Sequence, residues 1–396
     1  MSSIASALVC ASALSTRPSW NQALQEIVAA TRKSLPQPPD LAVLFLSSQH
    51  AAAADSIASH ACEALETSNI IGCTGESLVG IGQEVEEDVA LSLWVAWFPE
   101  SRITPMHLRF ERTPEGGALE GWPDELAGDW QPGSFLIVLG EPFSFPADFL
   151  LERMNEDRPQ TPVIGGMASG AAQPGENRLI CGNKSYAEGA VAFHISGGVR
   201  LKAVVSQGCR PIGRPFVVTK AERNVIHELG GKPAMMQLRE IFDTMPTNEQ
   251  KLVQRALHVG RVVSEYQERF EQGDFLVRNV VGIDPGTGAI AIGDYIRPGQ
   301  TVQFHIRDQS AADGELNQLL AAVRQHDPSP AGALLFTCNG RGSRMFSEPH
   351  HDALAIGRAF GNVPLAGFFA QGELGPIGNQ NFIHGFTASI GLFFPA

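Results

Sequence analysis

Cysteine is sparse and unpatterned in this chain. Cys10, Cys62, Cys73, Cys181, Cys209 and Cys338 are spread over 396 residues with no CxxC pair. Neither a disulfide framework nor a paired-cysteine zinc site is signalled, and free thiols in a reducing compartment are expected. Basic runs are missing too. Lys and Arg total 29 against 42 Asp and Glu, a net charge of −13. A uniformly acidic chain repels phosphate backbones and anionic lipid, so neither nucleic acid nor a membrane surface is an expected partner. No stretch approaches the ~20 consecutive apolar residues of a membrane helix. The opening MSSIASALVCASALSTRPSW lacks the basic start of a signal peptide, so a cytoplasmic location is expected. Among 11 histidines there is no HExxH and no paired Cys/His spacing, and GTGES lacks the GK[ST] ending of a phosphate loop. Neither a zinc site nor a nucleotide cradle is expected.

What the chain has is apolar residues (43%), 41 glycines and an internal repetition. Three segments follow one plan. The first runs from LAVLFLSSQH (41–50) through a helical stretch to NIIGCTGESLVGIG (69–82) and VALSLWVAWF (89–98). The second runs from SFLIVLGEP (134–142) to TPVIGGMASG (161–170) and EGAVAFHI (188–195). The third runs from GALLFTCNGRG (332–342) to NVPLAGFFAQGELG (362–375) and FTASIGLFF (386–394). The first and second strands start 28, 27 and 30 residues apart, counting Leu41 to Asn69, Ser134 to Thr161 and Gly332 to Asn362. That length holds a strand, a crossover helix and a parallel strand. The leading strand is continuously apolar each time, as a strand covered on both faces should be. The third strand follows a Gly-rich turn and suits a hairpin with the second. Residues 51–66, 145–155 and 351–360 show the 3.6-residue period of sheet-covering helices.

The middle differs. Residues 221–242 read as a strand or short helix, a Gly230-Gly231 turn and a helix entered through Pro233; 251–270 read as a helical or irregular cover. Runs at 275–284, 289–296 and 302–308, separated by Pro-Gly turns, predict a three-stranded meander. The expected class is therefore α/β: repeated strand–helix–strand–strand units forming helix-flanked sheets, with a β-meander in the C-terminal half.

On these motifs the chain resembles the FIST family. LAVLFLSSQHA, IIGCTGESLVG and VALSLWVAWF carry the resemblance in the first half; ELGGKPAMMQLREI, GALLFTCNGRG, VPLAGFFAQGELGP and FIHGFTASIGLF carry it in the second. The resemblance implies an N-terminal extension over 1–37, a FIST N domain over 38–200 and a FIST C domain over 215–396. It implies an intracellular sensory protein of signal transduction that binds a small, amino-acid-like ligand. With 37 residues ahead of the first domain, the expected effector is a separate protein. Some members resemble haem proteins that sense nitric oxide, which leaves a haem sensor as an alternative. His50, His60, His194, His227, His258 and His384 are the formal axial candidates.

Polar residues cluster at the ends of the repeated strands: Ser47 after the first, Gly75 and Glu76 after its partner, Cys338, Asn339 and Arg341 after the last leading strand, and Glu373 beyond its partner. Open α/β sheets bind ligands at such carboxyl ends, so these seven residues are the expected ligand site. Arg341, set between two glycines, suits a bidentate carboxylate or phosphate, or an internal ion pair, for instance with Glu373. Glu76 and Glu373 read as matching positions of the repeat, able to bind a ligand ammonium, to act as an acid–base pair, or to fix turns. Cys338 reads as a half-buried strand-end residue, with a catalytic thiol as the alternative. An enzyme using Cys338 or the two carboxylates is the third functional reading.

Overall fold

Continuous apolar runs dictate the architecture. The computed structural model describes residues 8–114, 116–266, 269–270 and 272–396. The chain divides into two compact units, one of Met1–Val205 with Asn317–Ala396 and one of Ser206–Leu316.

The larger unit holds all three repeats. The first copy comprises β1 (Val9–Ser15), α1 (Trp20–Arg32), β2 (Leu41–Ser47), α2 (Ala54–Leu65), β3 (Ile70–Gly75), β4 (Leu78–Gly80), β5 (Gln83–Val85) and β6 (Leu91–Trp97). The second comprises β7 (Ser101–Glu111), β8 (Ala118–Glu120), β9 (Phe135–Gly140), α3 (Ala147–Asp157), β10 (Val163–Met167), β11 (Leu179–Cys181), β12 (Lys184–Tyr186) and β13 (Ala190–Gly197), with β14 (Val199–Ser206) following.

The smaller unit carries β15 (Cys209–Glu222), β16 (Val225–Leu229), β17 (Lys232–Pro233), α4 (Ala234–Phe242), α5 (Thr247–Ala256), β18 (Leu257–Val262), β19 (Phe275–Asp284), β20 (Ala289–Ile292) and β21 (Thr301–Arg307). The strand order β15-β21-β18-β19-β20-β16, with β15 pairing β16, closes an antiparallel six-stranded barrel. The expected meander exists but is shifted by one strand. It is formed by β18, β19 and β20, while β21 pairs with β18 and β15 rather than with β20. Strand β18 lies inside the stretch read as a helical or irregular cover; residues 267 and 268 of that stretch are outside the described residues.

Helix α6 (Gln309–His326) precedes the third copy, which comprises β22 (Gly332–Cys338), α7 (His351–Phe360), β23 (Leu365–Ala370), β24 (Glu373–Ile377), β25 (Gln380–His384) and β26 (Ala388–Pro395).

Each copy pairs its first two strands in parallel, β2 with β3, β9 with β10 and β22 with β23. The third strand does not form a hairpin with the second. It lies antiparallel on the first instead, β6 on β2, β13 on β9 and β26 on β22. The second strand is thereby left with a free edge, and a hairpin from another copy fills it. The β4–β5 hairpin pairs with β23, β24–β25 with β10, and β11–β12 with β3. The first copy thus completes the third, the third completes the second, and the second completes the first. One amide bond repeats at each junction: Phe369 N donates to Ser77 O at 2.9 Å, Met167 N to Gly372 O at 2.8 Å and Thr74 N to Arg178 O at 2.9 Å.

A glycine sits opposite every junction. A β-carbon on Gly72, Gly165 or Gly367 would stand 2.1, 1.8 and 1.9 Å from the carbonyl oxygens of Leu44, Val138 and Leu335. The pairing of leading and second strands requires the missing side chain at these three positions.

Aromatic residues fill the space where the inner faces of the three sheets meet. Phe45, Phe336 and Phe368 pack with ring centroids 5.2 to 6.4 Å apart. The outer faces carry helices: α1 and α2 on the first sheet, α3 on the second. Residues 8–37 are part of this structure, since β1 pairs along its whole length with β6 and α1 buries Ala23, Leu24 and Ile27. Among the described residues no helix is long and apolar enough to cross a membrane.

Candidate functional site

Strand β22 ends at Cys338, and the chain then turns through Asn339, Gly340, Arg341 and Gly342. The guanidinium of Arg341 is fully buried. Its Nε donates to Asp352 Oδ2 at 2.8 Å and its Nη2 to Oδ1 at 2.7 Å, in the planar fork that favours Arg over Lys. Phe346 lies 5.1 Å from the guanidinium carbon, in cation–π range. Asp352 also accepts from Thr337 Oγ1 at 2.6 Å and lies 2.8 Å from His351 Nδ1. Burial opposes its charge, but the Arg341 guanidinium prevails and holds the carboxyl well below the usual range.

The borrowed hairpin supplies the next carboxylate. Glu84 of β5 caps helix α7, its Oε1 accepting from Asp352 N at 3.1 Å and Ala353 N at 3.0 Å. Burial, and then the charge of Asp352, push Glu84 up to about 8. Glu373, at the head of β24, is fully buried, and its Oε2 accepts from Thr387 N at 3.1 Å. Burial pushes this carboxyl up to about 8 as well.

Of the seven residues expected to form the site, four converge here: Cys338, Asn339, Arg341 and Glu373. Glu76 joins them through Arg344, a residue the sequence reading passed over. Arg344 donates to both oxygens of Glu76 at 2.9 and 2.8 Å, to Glu87 at 2.7 Å and to Asn339 O at 2.9 Å. Gly75 packs against Phe368, and Ser47 ends β2 with its Oγ accepting from Ala90 N at 3.0 Å. Ser47 is thereby committed to its own sheet.

Two details of the expectation are corrected. The partner of Arg341 is Asp352, not Glu373; an aspartate in the first turn of a helix reads in sequence as a match for the helix dipole, which hid its second role. Glu76 and Glu373 are also not equivalent. Glu373 faces Gly166 across its junction just as Leu78 faces Phe368 across the other, so its counterpart is Leu78. Glu76 stays 30% exposed at its side chain, while Glu373 is sealed.

Asn339 Oδ1 and Glu84 Oε2 are buried with no hydrogen-bond partner among the described residues, while the Glu373 carboxyl has the Cys338 thiol beside it. Cys338 does not have the electrostatics of a nucleophile. Burial, and then the neighbouring Glu373, push its thiol up to about 12, whereas reactive cysteines are held low by positive surroundings. Of the six histidines named as axial candidates, His50, His194, His258 and His384 are buried. Among the described residues no group of three or more His, Cys, Asp or Glu is placed to hold a metal ion.

A family model described as the FIST N domain matches residues 40–232, and one described as the FIST C domain matches residues 234–376. An uncharacterized protein of Mycobacterium tuberculosis strain H37Rv is 42% identical over 383 residues, covering 96% of this chain and 98% of its own. An uncharacterized protein of Mycobacterium bovis is 39% identical over 381 residues, covering 96% of this chain and 97% of its own.

Proposed function

Because this chain belongs to the FIST family, whose domains are associated with signal-transduction sensing, we propose that it senses a small amino-acid-like ligand inside the cell and acts on a separate effector protein. The observation that carries this reading is the sealed carboxyl of Glu373 together with the buried, unpartnered acceptor Asn339 Oδ1 on the loop that holds Arg344. A buried acceptor without a donor costs about 1–3 kcal/mol. A ligand ammonium would remove that cost, and Arg344, half-exposed and on the same loop, would take the ligand carboxylate. Arg341 is not available for that role, because Asp352 occupies its fork.

Glu373 is sealed, so the ligand reaches it only when the segment after Cys338 moves aside. Binding is thus coupled to a change of shape at Ser343, Arg344 and their partners Glu76, Glu86 and Glu87, and that change is what an effector would read.

Calorimetric titration of the full chain with a panel of amino acids tests this. The expected result is saturable binding by at least one of them, abolished in Glu373→Gln and weakened in Arg344→Gln. Because Glu373 starts protonated at neutral pH, the binding heat should vary with the ionisation heat of the buffer. Binding by no member of the panel, or binding that both variants leave intact, overturns the reading.

A further inference from the structure

The outer faces of the first two sheets are covered differently. On the first, α1 lies beside α2. On the second, α3 has β8 and the chain that follows it for a neighbour, which packs on the core through Leu119, Trp122, Leu126 and Trp130. Between α3 and that segment a cleft of about 310 Å³ remains open.

Its lining is selective. Trp122 and Trp130 stand 6.3 Å apart at 47°, and Phe149 of α3 faces the same space. These rings offer flat, polarisable walls for another ring. Trp130 is anchored by its Nε1, which donates to Leu126 O at 3.0 Å. Behind it the buried His194 ring sits 4.3 Å away, with neither ring nitrogen hydrogen-bonded among the described residues. Burial keeps that imidazole neutral, pushing it down to about 4, so the back wall carries no charge.

Two guanidiniums line the same cleft. Arg158 lies 5.3 Å from the Trp130 ring and Arg153 lies 5.5 Å from the Phe149 ring. Arg158 is steadied by donating to Gly128 O at 2.8 Å, while Arg153 pairs with Glu156 at 3.6 Å. Asp157 is the one acidic residue in the lining and Glu156 meets Arg153 from beside it, so the two arginines offset two carboxylates on a chain whose net charge is −13. Two guanidiniums with free donor capacity over an aromatic slot select a ring bearing an anion.

We propose that this cleft is a second ligand site, for a small planar aromatic carboxylate whose ring enters between Trp122, Trp130 and Phe149 and whose carboxylate meets Arg153 and Arg158. The site is separate from the β22 loop and does not depend on it. Its volume falls at the small end of ligand pockets, about 300–1,000 Å³, which suits one or two fused rings.

The test is calorimetric titration of the full chain with benzoate, 2-naphthoate, cyclohexanecarboxylate and tryptamine. The expected result is saturable binding of the aromatic acids, with cyclohexanecarboxylate and tryptamine at least tenfold weaker. Arg153→Gln with Arg158→Gln should weaken naphthoate at least tenfold with an unchanged unfolding midpoint, and Trp122→Ala should weaken it as much. Trp122→Phe, which keeps a ring, should restore most of the affinity. Arg344→Gln, in the other site, should bind naphthoate like the wild type. Binding by none of the four compounds at millimolar concentration overturns the proposal. A preference for tryptamine, or naphthoate affinity unaffected by the paired arginine substitutions, overturns it too.

Discussion

Arg341 and Asp352 form a closed two-point ion pair that no solvent reaches, with Thr337 and Phe346 completing its walls. The pair joins the loop after β22 to the start of α7. Removing one member leaves the other charged and buried. Arg341→Ala is expected to cost about 3–5 kcal/mol of stability, read as a fall in the urea midpoint of unfolding. Replacing both members together by apolar residues of similar volume should recover much of that loss. A single Arg341→Ala variant as stable as the wild type would contradict the geometry.

The three junction glycines should respond alike. An alanine at Gly72, Gly165 or Gly367 puts a methyl group 1.8 to 2.1 Å from a neighbouring carbonyl oxygen, and backbone must shift to admit it. Each substitution is expected to destabilise by more than about 2 kcal/mol, whereas Gly128→Ala, with nothing within 4 Å, should be tolerated. Thermal unfolding of the four variants checks this.

The buried carboxyls give the chain a pH dependence of definite sign. Burial pushes the Glu373 carboxyl up from an ordinary 4.5 to about 8. Between those values the folded state holds a proton that the unfolded state has lost, so stability falls as pH rises through this window. Glu84 acts in the same direction over the same range. Glu373→Gln removes one of these titrations. The drop in unfolding midpoint between pH 5 and pH 8 should therefore be smaller in the variant than in the wild type.

Cys338 should be slow to alkylate. With its thiol pushed up to about 12, the reactive thiolate is rare at pH 8. Iodoacetamide is expected to label it at least tenfold more slowly than the same residue in the unfolded chain, measured by mass spectrometry of peptides. Equal rates would show that the loop opens freely.

Periodicity made the repeats visible, and chemistry decided what stayed hidden. Phe45, Phe336 and Phe193 sit in runs so uniformly apolar that only strands covered on both faces accommodate them, and the helix over 351–360 begins and ends where its pattern does. The exchange of hairpins was not legible. Leu78–Gly80 is a three-residue strand, and nothing in LVG says which edge it joins. The same blindness applied to Glu84, whose duty lies at a helix more than 260 residues away. Arg344 was missed because its partners, Glu76 and Glu87, come from another copy. Local sequence encodes element type well; contacts fixed only by closure of the whole have no local signal.

Circular lending of hairpins has a consequence for how such a protein can be dissected. A fragment ending after the second copy keeps the first sheet intact, because β11 and β12 are still present, yet it strips β24 from the edge of β10 and leaves β4 and β5 without β23 to receive them. Exposed edges of that kind invite foreign strands. The third copy expressed alone is equally incomplete, since β23 has lost its outer neighbour and α7 the acidic cap from Glu84. Neither fragment is self-sufficient. Mixed in one tube, however, they hold every complementary edge, and reassembly of the two halves from separate chains becomes a direct assay of closure.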